Sequence, residues 1–215
     1  MPYRQTPFIN QNFYHIFNRG VEKRIIFLTQ DDYDRFFQTI YYYQFSGPKP
    51  RFSTHRRFRF KDFHKNPKIV EIIVFCFMPN HFHLLIRQIR DGGIVEFMSK
   101  VLNGYTKYFN TKHRRVGALF QGQFKAVMIE TDEQLLHVSR YIHLNPYVAE
   151  LTKDLADFSN SSYKEYVTLG GQGICVKEHI LNFFKNSMHY QKFINDYEDY
   201  ALRLKRIEHL LIDIE

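Results

Sequence analysis

Ile69-Val-Glu-Ile-Ile-Val-Phe-Cys-Phe77, then Met78-Pro-Asn80, then His81-Phe-His83-Leu-Leu-Ile-Arg87 is the stretch on which the fold turns. Its first nine residues are β-branched and aromatic, which suits a buried pleated strand. Met78-Pro-Asn80 offers turn chemistry, and a strand pattern resumes at His81. A strand–turn–strand hairpin is predicted. Side chains alternate along a strand, so His81 and His83 share one face, roughly 6.6 Å apart at two residues' rise. Phe82, Leu84 and Ile86 take the other face and can anchor it to a core. Two imidazoles at that spacing can converge on one cation, although a bare His-x-His also describes ordinary surface histidines.

Outward from the hairpin, Phe13-Tyr-His-Ile-Phe-Asn18 reads as a strand ending at Arg19-Gly20. Thr29 or Asp31 can cap a helix with Tyr33, Phe36, Phe37, Ile40 and Tyr43 at helical spacing. After the hairpin, Gly92-Gly93 opens a helix whose apolar face carries Val95, Met98, Val101, Leu102 and Tyr105, ending near His113 to Gly117. Leu119 to Ile129 is expected as a strand, and Thr131-Asp-Glu as the cap of a further helix that Pro146 limits. The order strand, helix, strand, strand, helix, strand, helix predicts an α+β, ferredoxin-like antiparallel sheet with helices packed on one face. Residues 1–150 form this unit, and 151–215, of mixed charge, read as an accessory C-terminal helical region.

Ser46 to Pro67 interrupts the pattern with Lys49, Arg51, Arg56, Arg57, Arg59, Lys61 and Lys65 against the single acid Asp62. It reads as a basic loop or arm. Phe52, Phe58, Phe60 and Phe63 are interleaved with those charges, which suits phosphate neutralisation with ring stacking on bases. A hairpin with a solvated basic face and a phenylalanine face on the core fits as well.

With 30 Lys plus Arg against 22 Asp plus Glu, the chain carries +8 and a pI near 9.4, so a polyanionic partner is plausible. Cys76 and Cys175 form no disulfide framework or zinc motif, no signal-peptide pattern is evident, and no apolar run approaches the roughly 20 residues of a membrane span. A cytoplasmic protein without membrane contact is expected. The 15 Tyr and 22 Phe serve a core or base stacking equally well.

In the last predicted helix, His137, Tyr141 and Asn145 recur every four residues beside an apolar face of Leu135, Val138 and Ile142. Tyr141 can simply pack at a helix edge. It can also act as a nucleophile, provided its phenol, of ordinary pKa near 10, is deprotonated and a cation offsets the charge growing on a phosphate. With no cysteine cluster, imidazole and amide donors suit Mg²⁺ or Mn²⁺, and zinc stays open. Tyr105 and Tyr108 are rival tyrosines with core packing as their expected role.

Together these segments resemble the HUH-type single-tyrosine transposases, the insertion-sequence-200-like group that includes REP-associated tyrosine transposases. The likeness lies in Met78-Pro-Asn-His-Phe-His-Leu-Leu85 and Tyr141-Ile-His-Leu-Asn-Pro146. Asn18-Arg-Gly20, Ile26-Phe27, Asp31-Asp-Tyr33, Leu119-Phe-Gln-Gly-Gln-Phe-Lys125 and Ser161-Ser-Tyr163 add to it, over roughly residues 12–167. The resemblance implies transesterification on single-stranded or hairpin DNA through a 5′-phosphotyrosine intermediate. Tyr141 would be the nucleophile, His81, His83 and Asn145 the ligands of Mg²⁺ or Mn²⁺, and Arg51, Arg56, Arg57, Arg59, Lys61 and Lys125 DNA contacts. A homodimer stays open, as does assembly of the site within one chain or between two. The contrasting reading is a non-catalytic basic nucleic-acid-binding module with structural histidines.

Overall fold

The computed structural model describes residues 7–47, 50–58, 63–168 and 173–197. Four strands form one antiparallel sheet: β1 (Phe13–Arg19), β2 (Val70–Met78), β3 (His81–Gln88) and β4 (Lys125–Ile129), in the order β2-β3-β1-β4. This is the ferredoxin-like order expected from the sequence. The Pro79-Asn80 turn closes the hairpin so that Met78 faces His81 and Cys76 faces His83, while β1 pairs Phe17 with His83 on the other side.

Helices α1 (Gln30–Tyr43) and α3 (Gly93–Lys112) pack on the sheet face that carries Ile16, Phe82 and Leu84, burying Phe36, Phe97 and Tyr105. Thr29 caps α1 through a reciprocal capping box with Asp32. On α3, Ile94 and Phe97 take the core positions and Val95 faces solvent, 52% exposed, contrary to its expected place on the apolar face. The opposite sheet face, with Val74 and Leu85, is covered as well, so the expected one-sided arrangement describes α1 and α3 only. There α4 (Asp132–Val148) contributes Leu135 and Ile142, joined by α5 (Tyr163–Val167), α6 (Glu178–Leu181) and α7 (Ser187–Asn195) through Tyr166, Ile180, Tyr190 and Ile194.

The region beyond 150 also closes the outer edge of β2. Phe77 N–H donates to Asn160, Ser162 N–H to Phe75 and Val176 N–H to Ile72, at 2.9, 3.0 and 2.9 Å. A sheet edge otherwise open to another chain is thereby paired.

Three segments differ from expectation. The strand expected over Leu119–Ile129 is regular only from Lys125, because the chain before it turns at Gly122, whose φ is +64°. Pro146 lies inside α4 and the helix runs two residues past it. The basic segment holds a short helix, α2 (Phe52–Phe58), in place of the arm or hairpin. Phe52 is buried and Phe63 packs among Tyr41, Tyr42 and Phe45, so these two rings serve packing. Arg59, Phe60 and Lys61 lie outside the described residues.

Candidate active site

Because β1 and β3 are neighbours, the histidines of both strands meet on the face covered by α4. His83 is 6% exposed, and its ring centroid lies 5.0 Å from that of His81 and 5.1 Å from that of His15. His15 Nε2 is 2.9 Å from His83 Nδ1, and His81 Nδ1 is 2.6 Å from Asn80 Oδ1. Each member of the His81/His83 pair thus has its Nδ1 engaged from behind. Burial lowers the pKa of all three imidazoles, that of His15 to about 4. On His83 the neighbouring His15 and His81 add to burial; on His81 the Asn145 side chain, within hydrogen-bonding reach, acts against it. The rings are neutral at pH 7 and can offer lone pairs.

Tyr141, from α4, is 53% exposed and stands edge-on to this cluster, 5.5 Å from the His83 ring and 5.9 Å from the His15 ring by centroids. One chain therefore brings the tyrosine and the histidines together. Since α4 continues through Pro146, Asn145 keeps helical geometry one turn from Tyr141, and its Nδ2 donates to the Tyr141 carbonyl at 2.9 Å. His137, one turn the other way, is drawn off to Arg140 at 2.7 Å and takes no part.

Tyr141, His81 and His83 border a cavity of about 510 Å³ also lined by Arg19, Lys23, Gln121 and Lys125. Arg19 Nε donates to Gln121 Oε1, which fixes the guanidinium beside the opening. The approach of the Arg19-Gly20 turn requires glycine, since a Cβ on Gly20 would lie 2.2 Å from the Arg24 carbonyl oxygen. Of the expected DNA contacts, Lys125 lies here. Arg51 instead lines a groove on the other sheet face, while Arg56 and Arg57 sit in α2 with side chains outside the described residues, as do Arg59 and Lys61.

His15, Arg19 and Lys23 were not singled out from the sequence. His15 had a signal, since it alternates with the buried Tyr14 and Ile16, but nothing in the sequence gives its register against β3. The rival tyrosines are structural: Tyr105 is buried and donates to the Ile26 carbonyl at 2.5 Å, and Tyr108 donates to Asp32 at 3.1 Å. Among the described residues no group of three or more His, Cys, Asp and Glu could hold a metal.

Residues 53–145 match the family described as "Transposase IS200 like", a span that holds both the histidine hairpin and the tyrosine helix. No curated protein matches the chain. Among solved structures the chain is similar to that of a REP-associated tyrosine transposase bound to a REP hairpin. The TM-score is 0.54 at 18% identity, covering 81% of this chain and 90% of that one. A putative transposase from Deinococcus radiodurans is a fainter likeness, at 11% identity and a TM-score of 0.37 over 66% of this chain and 95% of that one. The segment 53–145 thus belongs to the IS200-like transposase family, and the chain that carries it has the fold of a REP-associated tyrosine transposase.

Proposed function

We propose that this transposase-family chain cuts and rejoins single-stranded DNA at Tyr141, with Mg²⁺ or Mn²⁺ held by His81, His83 and Asn145. The observation that carries the reading is the meeting of Tyr141 with His83, ring to ring at 5.5 Å, beside a cavity edged by Arg19, Lys23 and Lys125. A core tyrosine would have no need of half its surface in that cavity.

The residues fit a divalent cation. With Nδ1 of His81 turned to Asn80 and Nδ1 of His83 to His15, Nε2 is the nitrogen each ring has left for a ligand bond. Such backing of ligand histidines by outer hydrogen bonds fixes their tautomer. The Asn145 side chain, beside His81, adds an oxygen. A cation bound there supplies charge neutralisation on the scissile phosphate.

Tyr141 Oη attacks phosphorus, the bond from phosphorus to the 3′-oxygen breaks, the phenolic proton leaves, and the departing oxygen is protonated to a 3′-hydroxyl. The 5′-phosphate stays on Tyr141 until another 3′-hydroxyl attacks and releases the phenolate. Arg19, Lys23 and Lys125 hold phosphates of the bound strand. The REP hairpin in the similar structure favours a hairpin-bearing strand as substrate here. Residues 1–150 carry all these groups, and 151–215 are assigned a supporting role.

Incubation with a REP-type hairpin strand and Mn²⁺, followed by denaturing electrophoresis, should reveal a covalent protein–DNA adduct that EDTA prevents and that Tyr141→Phe lacks. An undiminished adduct in Tyr141→Phe would move the nucleophile elsewhere. Salt-sensitive binding with no adduct, indifferent to EDTA and to His83→Ala, would favour the non-catalytic module instead.

A further inference from the structure

On the face of the molecule away from Tyr141, α1, α3 and the start of α2 enclose an open groove of about 770 Å³. Five cations line it, Arg35, Arg51, Lys100, Lys107 and Lys112, and among the described residues no acidic one does. Two of the five are committed, Lys100 to Glu96 at 2.7 Å and Lys112 to Asp32 at 2.9 Å. Arg51 and Lys107 have no side-chain hydrogen bond or ion pair among the described residues, and Lys107 is exposed. Arg35 is oriented in advance. Its guanidinium carbon lies 4.4 Å from the centre of the Phe52 ring and 5.0 Å from that of Tyr108.

An ordinary solvated helix face is convex and mixes charges. Here the charge is of one sign and the surface is concave, with the half-buried rings of Tyr43 and Tyr108 in its wall. A cationic groove with aromatic rings is the arrangement that tracks a single nucleic-acid strand, phosphates on the cations and bases on the rings. A cleft of this volume takes a short run of one strand. Lys100, Lys107 and Thr111 lie along one side of α3, so the cations follow the helix in a line.

We infer that this groove is a second DNA site, holding the phosphate backbone of a single-stranded segment other than the one at Tyr141. The sheet separates the two sites, since α1 and α3 pack on one face and α4 on the other. A strand occupying both has to pass around a sheet edge. The groove therefore contributes affinity and strand path while taking no part in the chemistry. The inference rests on the proposed reading of DNA as substrate.

The test is fluorescence anisotropy with oligothymidylate, which forms no hairpin, in EDTA so that no cleavage intervenes. Lys107→Glu and Lys107→Glu/Asn103→Glu should weaken binding by several-fold and by about tenfold or more. The slope of log affinity against log salt should become shallower by about 0.7 for each phosphate that is no longer neutralised. Lys153→Glu, the same charge change outside the groove, should bind like wild type. Equal affinities and slopes for wild type and the groove variants would overturn the inference, as would an equal loss in Lys153→Glu or binding confined to hairpin DNA. Adduct formation with a hairpin strand and Mn²⁺ is measured on the same preparations. A groove that fails while the adduct persists leaves the Tyr141 reading standing, whereas groove-dependent binding without an adduct in wild type overturns the Tyr141 reading and leaves the groove as a DNA site.

Discussion

The Nε2 of His15 sits 2.9 Å from Nδ1 of His83, so the direction in which the His83 ring offers its other nitrogen depends on a residue one strand away. For His83 to give Nε2 to a cation, its Nδ1 must carry the proton and His15 must accept it. Burial keeps His15 neutral by lowering its pKa to about 4, and so able to accept. His15→Phe keeps the ring and removes the acceptor. Mn²⁺ affinity in the absence of DNA, read by calorimetry, should fall about tenfold with little change in thermal stability, the usual scale for an outer partner of a ligand. His15→Gln should recover part of the loss. Unchanged Mn²⁺ affinity in His15→Phe would mean that packing alone orients His83. His81, His83 and Tyr141 could be read from spacing and motif, because both are local properties of the chain. His15 could not, because its part is defined by the strand it pairs with.

At the scale of elements, α4 carries both Tyr141 and the anchor that holds it. His143, two residues from Tyr141, points into the core and is fully buried, its Nδ1 2.8 Å from the Tyr190 hydroxyl and its Nε2 2.8 Å from Ser162 Oγ. Ser162 Oγ in turn accepts from Phe75 N–H at 2.9 Å, so one imidazole links α4 and α7 to β2. Burial lowers the His143 pKa to about 3, which keeps it neutral inside that network. His143→Phe fills the space but takes the 2.8 Å partner from the Tyr190 hydroxyl, leaving it the longer 3.4 Å bond to Ser139 Oγ, and takes the imidazole from Ser162 Oγ. Stability should drop by about 2 kcal/mol, or about 4–8 °C in Tm, seen in thermal melts. A melt unchanged from wild type would show that the network contributes little. The helix was evident from Thr131 and the periodic Leu135 and Ile142. Its continuation through Pro146 was not, since a proline costs one backbone hydrogen bond and local preference then favours an end. Burial of Leu144 and Pro146 against the second core outweighs that preference.

Across the whole molecule, two cores on opposite sheet faces separate the tyrosine side from the cationic groove, and Asp32 ties together the helices of the groove side. Its buried carboxylate accepts from Lys112 at 2.9 Å, from His113 at 3.1 Å and from the backbone N–H of Leu28 and Thr29 at 3.0 Å each. Burial by itself raises the Asp32 pKa, but these donors outweigh it and hold the pKa below the usual carboxylate value. A lowered folded pKa means stability that is present above the unfolded value, about 3.9, and is lost as pH falls through the folded one. Asp32→Asn should therefore cost about 2 kcal/mol at pH 7, with the gap in Tm from wild type closing as pH is taken from 5 to 2. A gap that does not vary with pH would show that shape, and not charge, is what Asp32 contributes. The sequence by itself determined the existence and order of the four strands and of α1, α3 and α4, and the two motifs, because alternation, helical periodicity and caps are local properties. The tertiary structure decided what those local properties leave open. The β1–β3 register brought His15 to His83, the helices beyond residue 150 covered the second sheet face and the edge of β2, and the basic segment folded against α1, so that Arg51 faces a groove far from Tyr141. Each is a pairing between distant segments, set by which buried surfaces and hydrogen-bonding edges satisfy one another once the chain is compact.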